Sequence, residues 1–223
     1  MKTTNTTRLL FRTRKYQATL LAIFLVLFTM MSCKKETVHD GHAKSSKYVE
    51  LNNAMHKLWA DHMQWTYATV DAYFNNTDAL QSNLNRLLQN QKDIGAAIAP
   101  FYGSAAGNQL SALLTTHINQ AVPVLQSAKS GDQAALGKAL EDWNKNAQDI
   151  ADFLSAANPK QWPKNEMREM MSGHISQTTT YAVDLLKKDY QKAVANYELT
   201  NHHMMMMADM LSIGIANQFP EKF

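Results

Sequence analysis

Three histidines and three aspartates recur in this chain at nearly constant spacing. His62, His117 and His174 stand at almost equal intervals, and each is followed, at a second near-constant interval, by an aspartate: Asp93, Asp149 and Asp209. Imidazole and carboxylate in this combination fit two kinds of chemistry. Neutral imidazole is the commonest transition-metal ligand, and a carboxylate completes or orients such a site, so the six side chains would suit Zn, Fe or Cu. Buried without a metal, the same groups would hydrogen-bond one another and fix the register of the helices that carry them. Both readings stand at this level. No His-x-x-x-His or His-Glu-x-x-His occurs, and the one Glu-x-x-His, Glu36 to His39, lies far from the repeated residues, so no local ligand pair favours the metal.

A second cluster is His202-His203-Met204-Met205-Met206-Met207. Thioether and imidazole suit Cu(I), which makes His202, His203, Met206 and Met207 a candidate copper set. The competing reading is core packing, with Met204, Met207 and Leu211 on the inward stripe, because Met is a flexible core filler. No phosphate-cradling glycine loop, nucleophile elbow or dinucleotide fingerprint is present, so no residue is assigned a catalytic role, and an enzyme without a recognised signature is the third reading after a binding module and a structural protein.

The elements that must position these residues are helical. Leu51, Met55, Leu58, His62, Trp65 and Thr69 recur at three- and four-residue steps, as do Leu110, Leu113, Leu114, His117, Ala121, Val124 and Leu125. Met167, Met170, Met171, His174, Thr178 and Ala182 repeat the pattern. Each set is one stripe of a helix. Breakers separate them at Asn75–Asp78, Pro100–Gly103, Ser130–Asp132, and Asn158-Pro159 with Pro163. Pro123 falls inside a helical pattern, where a kink is expected. The segment Asn90-Gln91-Lys92-Asp93-Ile94-Gly95 returns as Asn146-Ala147-Gln148-Asp149-Ile150-Ala151, at nearly the interval that separates the histidines. The expected fold is therefore all-α: an up-and-down bundle of about six helices in three tandem antiparallel hairpins. Each hairpin has a His on its first helix and an Asp on its second, and the second helices close near Pro100, Pro159 and Pro220. The turns expected near Asn76 and Gly131 put each His within about one helical turn of the level of its Asp. Trp59 and Trp65 flank His62 by three residues on either side, which predicts that they share its face.

Only 8 Gly and 5 Pro in 223 residues argue against a many-stranded sandwich or barrel, and one Cys excludes an internal disulfide framework. The net charge of +3 misleads, because residues 1–32 carry five basic groups and no acidic one, leaving 17 basic against 19 acidic residues in the remainder. A nucleic-acid partner loses its electrostatic basis. That basic start leads into the apolar run Ala18–Phe28, too short to span a bilayer, and then into Ser32-Cys33. It resembles a bacterial lipoprotein signal, which implies a signal peptide over 1–32, lipidation of Cys33, a polar tether over 33–46 and one helical domain over 47–223. Lipid chains on Cys33 would make the membrane a partner and place the domain on the periplasmic face or the cell surface. No protein partner is indicated.

The mature chain resembles a family of uncharacterised exported bacterial helical proteins. The matching segments are Leu58-Trp59 with His62 and Trp65-Thr66, Arg86-Leu87-Leu88 with Asn90 and Asp93-Ile94-Gly95, and Pro100-Phe101-Tyr102-Gly103. They continue through His117, Asn146-Ala147 with Asp149-Ile150-Ala151 and Phe153-Leu154, Asn158-Pro159, and Met207-Ala208-Asp209 running to Gln218-Phe219-Pro220. The resemblance implies an exported helical domain and carries over no activity, cofactor or catalytic residue.

Overall fold

The computed structural model describes residues 45–223. The segment expected to be a signal peptide, Cys33, and the expected tether up to residue 44 lie outside the described residues. Six helices follow one another: α1 Ser46–Asn75, α2 Thr77–Tyr102, α3 Ser104–Ser130, α4 Gln133–Ala157, α5 Lys164–Leu186 and α6 Tyr190–Gln218, with a short 3₁₀ turn over Pro220–Lys222. Among the described residues there is no strand, and no helix is long and apolar enough to cross a membrane. Each helix packs on its neighbours in sequence and α6 packs on α1, so the up-and-down order closes into a ring. Helices α1, α3 and α5, the first members of the three hairpins, also touch across its middle.

The boundaries follow from local chemistry. Ser45 Oγ accepts the Tyr48 N–H at 3.2 Å and caps α1, so the last residues assigned to the tether belong to the helix start. A single residue, Asn76, separates α1 from α2. Gly103, at φ 86°, separates α2 from α3 in a conformation open chiefly to glycine, and Gly131, at φ 76°, does the same for α3 and α4. Asp132 Oδ1 then caps α4 through the Ala135 N–H at 3.0 Å. The third hairpin turns at Lys188, a left-handed non-glycine residue at φ 61°, with Asp189 capping α6. That turn carries no Gly or Pro, which is why the sequence shows no breaker there. Pro100 does not end its helix, because α2 runs two residues further to Tyr102. Likewise α3 continues through Pro123 to Ser130.

Close approaches pin the ring. A Cβ on Gly95 would meet the Gly107 carbonyl oxygen at 2.4 Å, and one on Gly107 would meet the Gly95 oxygen at 2.6 Å, so α2 and α3 cross backbone against backbone. Trp162, on the connection between α4 and α5, is buried over Gly214 and donates its indole N–H to the Met210 carbonyl at 3.2 Å.

Candidate functional site

His62 on α1, His117 on α3 and His174 on α5 meet at the centre of the ring, each 2% exposed. The His174 ring lies 5.6 Å from that of His62 and 5.8 Å from that of His117, centre to centre. Trp59 sets its edge against His62 at 5.6 Å, and Trp143 on α4 leans on His117 at 5.2 Å. The common imidazole layer expected from the spacing is present.

The second helices meet this layer with amides rather than carboxylates. Asn90 Nδ2 donates to the Leu58 carbonyl at 2.9 Å and Asn146 Nδ2 to the Leu113 carbonyl at 3.2 Å. In the third hairpin His203 Nε2 donates to the Met170 carbonyl at 2.8 Å. All three carbonyls lie four residues before the layer histidine of their helix, where one lone pair already serves the helix ladder. Asn90, Asn146 and His203 follow His62, His117 and His174 at a more even interval than the aspartates do. They thus mark the true level across each hairpin, nearer its bend than the aspartates. Gly173 leaves the space that the third clamp uses, since a Cβ there would meet the His203 ring at 3.2 Å.

These contacts set the state of the rings. The amide of Asn146 gives its N–H to Leu113, so its Oδ1 faces His117 Nδ1 at 3.0 Å and accepts the ring N–H. His117 is therefore the Nδ1–H tautomer, with an acceptor lone pair on Nε2. That nitrogen has no hydrogen-bond partner among the described residues and is closed to solvent, as is the indole N–H of Trp143. Asn90 and Gln91 hold His62, the latter with Nε2 3.3 Å from Nδ1, and Thr178 Oγ1 lies 3.5 Å from His174 Nδ1. Burial is the main cause that pushes His117 down to about 4 and His62 to about 3, the latter helped by the charge His117 would carry. His174 falls well below the ordinary histidine value for the same reason, reinforced by both neighbours. All three rings are neutral at pH 7.

Beside the layer runs a cavity of about 170 Å³, with His62, His117 and His174 at its inner end. It extends toward the three hairpin bends, where Tyr73, Phe74, Leu80 and Leu136 line its half-buried outer end. The walls between are aliphatic or threonine apart from Trp143, and no Asp, Glu, Lys or Arg side chain is buried among the described residues.

The other expected site residues lie elsewhere. Asp93 accepts from Gln89 Nε2 at 2.8 Å and pairs with Arg86, and Asp149 pairs with Lys145. Asp209 accepts from Asn52 Nδ2 at 2.9 Å and pairs with His56 at 2.8 Å. Asp93 and Asp149 each precede a core isoleucine, Ile94 or Ile150, and one residue turns a helix by about 100°. That rotation takes both carboxylates out to water, where an ion keeps its hydration. The copper set does not converge either. His202 and Met206 are exposed and Met207 is wholly buried, so the helix spreads them around its circumference while His203 holds its carbonyl. Met204, Met207 and Leu211 take the inward stripe. Among the described residues no group of three or more His, Cys, Asp or Glu is placed to hold a metal ion. Trp59 shares the face of His62, whereas Trp65 turns to the Arg86 guanidinium, 5.8 Å from its ring.

Asn90, Gln91, Asn146 and Thr178 are site residues that the sequence reading passed over. Their signal was present, because Asn90 and Asn146 open the repeated hexapeptide. Comparison of the chain with protein families, curated proteins and solved structures finds no match.

Proposed function

We propose that the chain is a binding module of the cell envelope, held to a membrane by lipid on Cys33, whose central cavity takes up a small, largely apolar molecule against three neutral imidazoles. The observation that carries this reading is the cavity itself. Protein interiors are close-packed, and a void of about 150 Å³ with aliphatic and aromatic walls is already large enough to admit benzene. The cavity here is about 170 Å³, and small or branched side chains such as Thr66, Thr69, Ala121 and Ala182 line it. The rings at its inner end are uncharged, so an apolar guest meets no buried ion. The envelope location rests on the lipoprotein-type start of the chain and on the resemblance to exported helical proteins.

A metal-free structural role for the layer is the second reading, favoured by the amide and histidine clamps on the three carbonyls. Titrating toluene into the full chain separates the two. Saturable binding that is lost in Ala182→Leu, with the fold intact, supports the binding module. Absence of toluene binding at millimolar concentration leaves the structural role. Membrane association is tested by labelling with a radioactive fatty acid, which Cys33→Ser should abolish.

A further inference from the structure

We infer that the guest of this cavity is a single-chain amphiphile whose unbranched alkyl tail lies along the bundle axis, tail end against the imidazoles and polar end at the hairpin bends. This rests on the cavity being a ligand site and names the shape that the site selects. The walls run from His62 to Phe74 on α1, from His117 to Ala128 on α3 and from His174 to Val183 on α5. At a rise of ~1.5 Å per residue these stretches extend about 14 to 18 Å along the axis. The enclosed volume is only about 170 Å³. Spread over that length, it leaves a passage ~4 Å wide or slightly less, the width of one carbon, since non-bonded carbons rest ~3.5–4.0 Å apart. A compact void of the same volume would suit a ring. One this long and narrow suits carbons in single file.

The two ends give the guest its direction. Three imidazoles, each 2% exposed, close the inner end. The outer end reaches half-buried Tyr73, Phe74, Leu80 and Leu136 beside the bends. Hydroxyls along the wall between them are already engaged: Thr66, Thr69 and Thr179 donate theirs to carbonyls of their own helices at 2.7, 2.6 and 2.9 Å. No Asp, Glu, Lys or Arg lines the cavity. A polar group drawn inside would therefore give up its water without gaining a partner. Left at the bends it keeps its hydration, while each methylene of the tail that is buried strengthens binding about fourfold.

The test is calorimetric titration of the full chain with heptan-1-ol and with cyclohexylmethanol, which share their carbon count and their hydroxyl. Each affinity is divided by the compound's octanol–water partition coefficient, so that shape alone is compared. The straight chain is expected to bind about tenfold or more tightly on that scale, because a ring has to push the walls apart. Ala121 lies one turn beyond His117 toward the bends. Ala121→Leu should therefore block the inner end, weakening decan-1-ol about tenfold or more and the shorter butan-1-ol by less than about twofold. Equal corrected affinities of chain and ring overturn the chain inference and leave the cavity reading standing, since both then bind. An Ala121→Leu variant that weakens the two alkanols alike has the same meaning, as has toluene binding without heptan-1-ol binding. If neither heptan-1-ol nor toluene binds, the ligand site itself falls, and the wild-type comparison gives that answer even where the variant does not fold.

Discussion

The core is built differently on the two sides of the imidazole layer. Toward the chain termini it is filled: Met55, Trp59, Ile94, Trp162, Met207 and Ile215 interlock around a void of only about 20 Å³. Glycines there let helices and an indole close to contact distance. Toward the hairpin bends, threonine, valine and alanine leave about 170 Å³ unfilled. The same six helices thus pack in opposite ways at their two ends. Large side chains and close helix contacts concentrate cohesion in one half, which frees the other to remain open without unfolding the domain.

The contrast is broken most severely by truncating the filled half. Trp162→Ala should cost about 4 kcal/mol, read from the urea midpoint, since it removes a buried indole whose space cannot collapse. Next in size is acidification. A histidine held neutral in the fold takes up a proton more readily once unfolded, so its contribution is fully present above pH ~6.5 and is lost as pH falls through the folded value. For His117, whose folded value is about 4, this amounts to about 3 kcal/mol between those two pH values. His117→Phe should therefore flatten the dependence of the urea midpoint on pH over that window. An equal slope in the variant would show that the layer does not titrate as its burial requires.

Asn146→Ala should cost about 2 kcal/mol by the same measurement, because the His117 N–H and the Leu113 carbonyl both lose a partner. The open half should respond in the reverse sense. Ala182→Leu adds methylenes to the cavity wall and should stabilise by about 1 kcal/mol while removing toluene binding. Destabilisation there would mean that the space is not available to a side chain. Smallest of all, Asp93→Asn should change stability by less than about 0.5 kcal/mol, since the carboxylate is half-exposed and outside the layer. A large effect would return Asp93 to the centre of the design.

The fold was legible because its determinants are local and periodic. Hydrophobic stripes, the Gly103 and Gly131 breaks and a repeated hexapeptide mark the helices and their pairing. The level of the three histidines was legible too, since antiparallel hairpins with equal arms leave them nowhere else to go. The identity of their partners was not. Asn90 and Asp93 lie within one helical turn of each other along the same helix, and only the rotation of that helix decides which side chain enters. Desolvation settles it in favour of the neutral amide, a cost that spacing does not express. The third clamp was hidden for another reason. His203 stands where the first two hairpins use asparagine, and its place is visible only with Gly173 and the Met170 carbonyl beside its ring. The cavity left no mark of its own, because absent volume has no residue to announce it.

The seam between α1 and α6 has a consequence for how the chain can be cut. Because the first and last helices lie antiparallel and adjacent, the two ends of the domain emerge together. A short linker from Phe223 back to Ser45, with a new start opened at the exposed Lys160 between the second and third hairpins, should give a permuted chain with the same arrangement of hairpins. The order in which the three units are translated would then be immaterial to the final form, as expected of a closed circle with no privileged first member.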